Sequence, residues 1–75
     1  MLSDVEKRVL ELLSRQLLIT KGELLVQLNR EKHNGSDISI HRLREMGYID
    51  KIESLGTCLV ITQKGMRALK DVQTL

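Results

Sequence analysis

Few residues in this chain have chemistry to offer. Among 75 residues there are two histidines, His33 and His41, one cysteine, Cys58, ten Asp or Glu and twelve Lys or Arg. A lone cysteine excludes an internal disulfide and a cysteine-built metal site. No Cys or carboxylate stands at metal-ligand spacing around either histidine, and no nucleophile motif or glycine-rich phosphate loop occurs. Asp4, Glu6 and the other carboxylates read as helix caps and charge balance, not as a general acid/base pair. Both histidines read as surface residues and Cys58 as a plain strand residue on a solvent or edge face. The chain therefore reads as a binding protein rather than an enzyme, without cofactor or metal. One side chain stands out. The planar fork of Arg42 can match the O6 and N7 of guanine, and a net charge of +2 permits contact with nucleic acid without demanding it.

The elements that must position Arg42 are marked by caps and by apolar spacing. Ser3-Asp4-Val5-Glu6 has the form of a capping box. Val5, Val9, Leu12 and Leu13 then repeat at helical spacing, with Leu10 and Leu17 beside them, so a first helix is expected over about 4–16. A second capping box, Thr20 to Glu23, opens a helix whose buried stripe is Leu24, Leu25 and Leu28. The stretch from Lys32 to Ser36 has no apolar residue and contains Asn34-Gly35, a turn signal. A third helix starts at Ser36 or Asp37 and ends at Met46, with Gly47 as its left-handed cap. Ile40 and Leu43 face the core, which aims Ile38, His41, Arg42 and Glu45 outward, with Ser39 at the edge and Arg44 nearer the core. The period then changes. Tyr48 to Ser54 alternates loosely, Leu55-Gly56-Thr57 turns, and Cys58 to Ile61 is a β-branched run, which together read as a hairpin. Thr62 caps a last helix carrying Met66, Leu69 and Val72.

This order predicts an α+β chain, mostly α, forming one domain over 1–75. Its architecture is three helices, a β-hairpin wing and a C-terminal helix. With no Phe, no Trp and one Tyr, the core must be aliphatic. No run of about 18 apolar residues exists and the first residues lack a signal-peptide pattern, so a cytoplasmic protein without a membrane partner is expected.

Two segments carry a family likeness. Ile40-His41-Arg42-Leu43-Arg44-Glu45-Met46-Gly47-Tyr48-Ile49 looks like the end of a recognition helix, and Leu59-Val60-Ile61-Thr62-Gln63-Lys64-Gly65 looks like the passage from the last wing strand into the final helix. Together they resemble the small winged helix-turn-helix transcriptional regulators of bacteria and archaea, of the MarR-like and PadR-like kind. The resemblance implies double-stranded DNA as the partner, with the third helix in the major groove and the hairpin tip near the backbone or minor groove. On that reading Arg42 reads a base, and Ile38 can touch a thymine methyl. Asn34, Ser36 and Ser39 lie at the helix start for phosphate or base edges. Lys32 and His33 contact phosphate, His41 lies on the outward face, and Lys51, Ser54 and Thr57 supply the wing contacts.

Two features weigh against DNA. Residues 30 to 51 hold five Lys or Arg against four Asp or Glu, a weak electrostatic footprint for phosphate. Ile38 also suits a protein contact, which favours the alternative of a winged-helix adaptor in a larger complex. The lack of aromatics argues against single-stranded RNA. Both terminal helices carry broad apolar arcs. Leu10, Leu17, Met66, Leu69 and Val72 are candidates for a two-fold dimer interface; the other reading is that these residues fill the core of one chain.

Overall fold

The capping signals and apolar stripes fix the order of elements. The structure is a computed structural model that describes residues 2–16, 18–33, 35–53 and 56–73, apart from the side chains of 72 and 73. These residues form four helices and one three-stranded antiparallel sheet, an α+β arrangement that is mostly helical. No helix among them is long and apolar enough to cross a membrane.

Helix α1 (Asp4–Arg15) opens on the expected capping box. The Ser3 hydroxyl accepts from the Glu6 N–H at 3.2 Å, and Glu6 Oε1 accepts from the Ser3 N–H at 2.9 Å. A two-residue strand β1 (Ile19–Thr20) leads into α2 (Lys21–Arg30), where the Thr20 hydroxyl accepts from the Glu23 N–H. Helix α3 (Ser36–Glu45) follows, then β2 (Ile49–Glu53), β3 (Thr57–Ile61) and α4 (Gln63–Gln73).

Helices α2 and α3 end in the same way. After α3, the Gly47 N–H donates to the Arg44 carbonyl and the Tyr48 N–H to the Leu43 carbonyl. Gly47 sits at φ +80, which completes a Schellman cap. After α2, the Lys32 N–H donates to Asn29 and the His33 N–H to Leu28, with Lys32 at φ +62. The second cap thus uses a lysine where glycine is the unstrained choice.

The two segments that carry the family likeness meet in space. The Thr62 N–H donates to the Tyr48 carbonyl at 3.0 Å. The Thr62 hydroxyl donates to the Gly47 carbonyl at 2.6 Å and accepts from the Gly65 N–H at 3.1 Å. A Cβ on Gly65 would overlap the Tyr48 carbonyl oxygen and stand 2.8 Å from Ile61 Cγ1, so this approach admits glycine alone. Lys64 Nζ lies 5.5 Å from the centre of the Tyr48 ring, within reach of a cation–π contact.

The core is aliphatic. Val9, Leu10, Leu12 and Leu13 of α1 pack with Ile19, Leu24, Leu28, Ile40, Leu43, Ile49, Leu59 and Leu69. The sheet order is β1-β3-β2, with Ile19 opposite Leu59 and Lys51 opposite Leu59 on the other side.

Several expectations need correction. Strand β1 was not anticipated, and it makes β3 the central strand. Cys58 therefore lies between Thr20 and Ile52 and not at an edge; it keeps to the outer face, opposite buried Leu59, and is half-buried there. Helix α1 ends at Arg15 and α3 at Glu45, one residue earlier than the apolar spacing suggests. Leu10 is wholly buried and Leu69 is 6% exposed, both in the core of a single chain, so neither is free for a dimer interface. The physical reason is volume: without Phe or Trp, many aliphatic side chains must fill the interior. Met66 remains exposed. Leu17 and the Val72 side chain lie outside the described residues.

Candidate nucleic-acid interface

Burial of Ile40 and Leu43 sets the rotation of α3 and hence what it shows to solvent. Ile38 is 70% exposed, and His41, Arg42 and Glu45 are exposed beside it. Arg44 is also exposed, contrary to its expected place nearer the core. A residue four on from Ile40 shares its turn, but Arg44 swings off toward the hairpin along the flank it shares with His41.

The exposed face divides into two flanks. On one, α3 and the hairpin enclose a shallow depression of about 130 Å³ lined by Lys21, Asp37, His41, Arg44, Lys51 and Thr57 over Ile40 and Leu59. The register explains the hairpin's share: Lys51 pairs with Leu59, and Thr57 lies two residues before Leu59, so all three project to the same side. On the other flank Arg42 turns back toward α1, and its Nη1 lies 3.5 Å from Glu6 Oε2.

Most cations on this surface have acidic neighbours. His41 Nε2 is 2.7 Å from Glu45 Oε1, Lys21 Nζ is 3.7 Å from Asp37, and Lys51 Nζ is 2.9 Å from Glu53. The Lys51 ammonium, hydrogen-bonded to Glu53, with Arg44 farther off, holds the Glu53 carboxyl below the usual carboxylate range. Among the described residues Arg44 has no ion pair within 4 Å.

The turn between α2 and α3 forms a separate patch. Lys32 is exposed, His33 is half-buried with Nε2 3.6 Å from Glu31, and the Ser36 hydroxyl donates to the His33 carbonyl at 3.3 Å. His33 and Ser36 line an open depression with Leu25, Asn29, Gly35 and Ile38. Ser39 is half-buried. The N-cap of α3 is Gly35, which has no side chain to bond the first-turn N–H groups. Asn34 and Ser54 lie outside the described residues.

The structure thus gathers His41, Lys51 and Thr57 at one depression and His33, Ser36 and Ile38 at another. It adds Lys21 and Arg44, which sequence reasoning passed over. The signal for Arg44 was available, since Asp37, His41 and Arg44 repeat at spacings of four and three. A larger groove of about 730 Å³ runs between α1 and α2 and shares no residue with α3. It is open and gathers no nucleophile, histidine or carboxylate pair. Among the described residues no three His, Cys, Asp or Glu are grouped to hold a metal ion. Comparison with family models, curated proteins and solved structures found no match.

Proposed function

We propose that this protein is a small winged helix-turn-helix DNA-binding protein that acts as a transcriptional regulator. In this reading α2 and α3 form the helix-turn-helix, α3 enters the major groove, and the β2–β3 hairpin is the wing against the phosphate backbone. The observation that supports it most is the arrangement around α3. A solvent-facing row of Ile38, His41 and Arg42 is flanked by the Arg44 and Lys51 side chains. Ile38 can reach a thymine methyl and Arg42 a guanine edge, while Lys51, Thr57 and Arg44 suit phosphate. The junction of Gly47 and Tyr48 with Thr62 and Gly65 holds α3 and the hairpin together as one unit.

A titration with mixed-sequence duplex DNA at low and moderate salt tests this reading. Binding should perturb the backbone resonances of α3 and the hairpin, and affinity should fall as salt rises. A protein that shows no response at low salt is not a DNA-binding protein.

One observation favours a second reading, a protein-protein adaptor. Ile38 is the most exposed large apolar side chain described, and the surrounding cations are largely paired with acids. Absence of DNA binding, with loss of a protein partner on Ile38→Glu, would support the adaptor.

A further inference from the structure

Glu6 does two things, and the cap accounts for only one. Its Oε1 accepts from the Ser3 N–H and closes the capping box. Glutamine at this position would close the same box without a charge. Yet Glu6 is 0% exposed, and its second oxygen, Oε2, has no hydrogen bond. A buried, half-satisfied carboxylate is costly unless a cation faces it. Among the described residues the cation that faces Oε2 is Arg42.

The geometry is that of a tether. Nη1 to Oε2 is 3.5 Å, too long for a strong charged hydrogen bond. The Arg42 side chain stays 57% exposed. With Nη1 turned toward Glu6, the edge made by Nε and Nη2 is left for another partner. The same edge of Arg8 forms a two-pronged bond to Glu31, with Nε at 2.8 Å and Nη2 at 3.0 Å, so it can engage two acceptors at once.

We propose that Glu6 is a positioning residue for Arg42, holding one end of the guanidinium so that its Nε–Nη2 edge is presented to the O6 and N7 of a guanine. The inference rests on the DNA-binding reading above. Restricting the long arginine side chain beforehand lowers the ordering cost of binding, and a bidentate contact is what distinguishes guanine from the other bases. Glu6 itself touches no base.

The test begins with a duplex selected by the wild-type protein from a random pool. Binding is then compared with the same duplex carrying A·T at the position where Arg42→Ala removes discrimination. Glu6→Gln should lower that discrimination about threefold, part of the loss that Arg42→Ala produces, and leave affinity for random duplex within about twofold. In the Arg42→Ala background the same substitution should leave the discrimination unchanged. If Glu6→Gln fails to fold, the order of the Arg42 side chain in the wild-type protein supplies the result. Nε–Hε relaxation in the free protein should show Arg42 more ordered than Arg15.

Unchanged discrimination in Glu6→Gln overturns the inference. So does an Arg42 side chain as mobile as Arg15. A wild-type protein that binds no duplex overturns the DNA reading and this inference together, whereas duplex binding with any of the preceding results overturns the inference alone.

Discussion

Two arginine–glutamate pairs join α1 to the rest of the molecule, and they are built differently. At one, Arg8 of α1 grips Glu31 after α2 with two bonds. Gln27 Nε2 donates to the same carboxylate at 2.9 Å, and His33 lies 3.6 Å away. At the other, Glu6 of α1 faces Arg42 of α3 across a single contact of 3.5 Å, with one carboxylate oxygen otherwise without a donor. The first pair is satisfied on both sides and has nothing left to offer. The second buries its acid and leaves most of its base in solvent. A completed pair reads as structure, whereas an incomplete one beside an exposed helix face reads as a group kept ready for a partner.

The largest expected effect breaks the first pair. The hydrogen bond from Arg8, then that from Gln27, holds the Glu31 carboxyl at about 2, against an ordinary 4.5. In Arg8→Ala, carboxyl titration by NMR should find Glu31 moved most of the way back to its ordinary value. The sign for stability follows. Because the folded value is the lower one, the contribution of this pair is present in full above about 4.5 and is lost as pH falls toward about 2. Acid unfolding of the wild type should therefore steepen over that interval, and Glu31→Gln should flatten it. The carboxylate is partly open to water, so the effect on folding will be smaller than the titration alone implies.

The second prediction separates the pairs by function. Arg42→Ala should lower discrimination for guanine at one position by about tenfold. Arg8→Ala should leave it within about twofold, since the Nε–Nη2 edge of Arg8 is already spent on Glu31. Equal losses in the two variants would mean that the difference in pair geometry carries no functional meaning.

The same substitution sharpens the comparison through stability. Arg42→Ala leaves Glu6 Oε2 buried without a cation. Losing one partner of a fully buried pair costs about 3–5 kcal/mol, but Arg42 is more than half exposed and water screens much of the interaction. A loss of about 1 kcal/mol is expected in urea unfolding at neutral pH, with the denaturant slope unchanged. Glu6→Gln/Arg42→Ala should recover part of it, because no unpaired charge remains inside.

Some of these features are legible in the sequence, and others are not, for physical reasons. The caps at Ser3, Gly47 and Thr62 are local devices with local signals, and each is found where the residues place it. Ile40 and Leu43 follow from helical period alone, and with them the outward face of α3. Strand β1 is different. Two residues cannot show alternation, and Ile19–Thr20 is a strand only because β3 pairs with it. That pairing also takes Cys58 off the sheet edge while leaving it on the face opposite Leu59. Burial of Leu10 and Leu69 depends on total core volume, which apolar arcs on single helices do not reveal. The capping role of Glu6 is legible from Ser3, but its contact with Arg42 is not, since the two residues lie on different helices and nothing local couples them.

Lys32 gives the smallest effect and separates a strained cap from a phosphate contact. It lies at φ +62 beside Glu31 of the completed pair, in the position that Gly47 occupies after α3. A side chain there costs about 1 kcal/mol relative to glycine, partly offset by the greater freedom glycine has when unfolded. Lys32→Gly should therefore raise stability by about 0.5 kcal/mol, or about 2–4 °C in melting temperature for a domain of this size. If Lys32 neutralises a phosphate, the same variant should reduce the slope of log affinity against log salt by about one. A stability gain with an unchanged slope would place Lys32 outside the DNA contact. A stability loss would show that its side chain does something in the fold that its left-handed backbone does not account for.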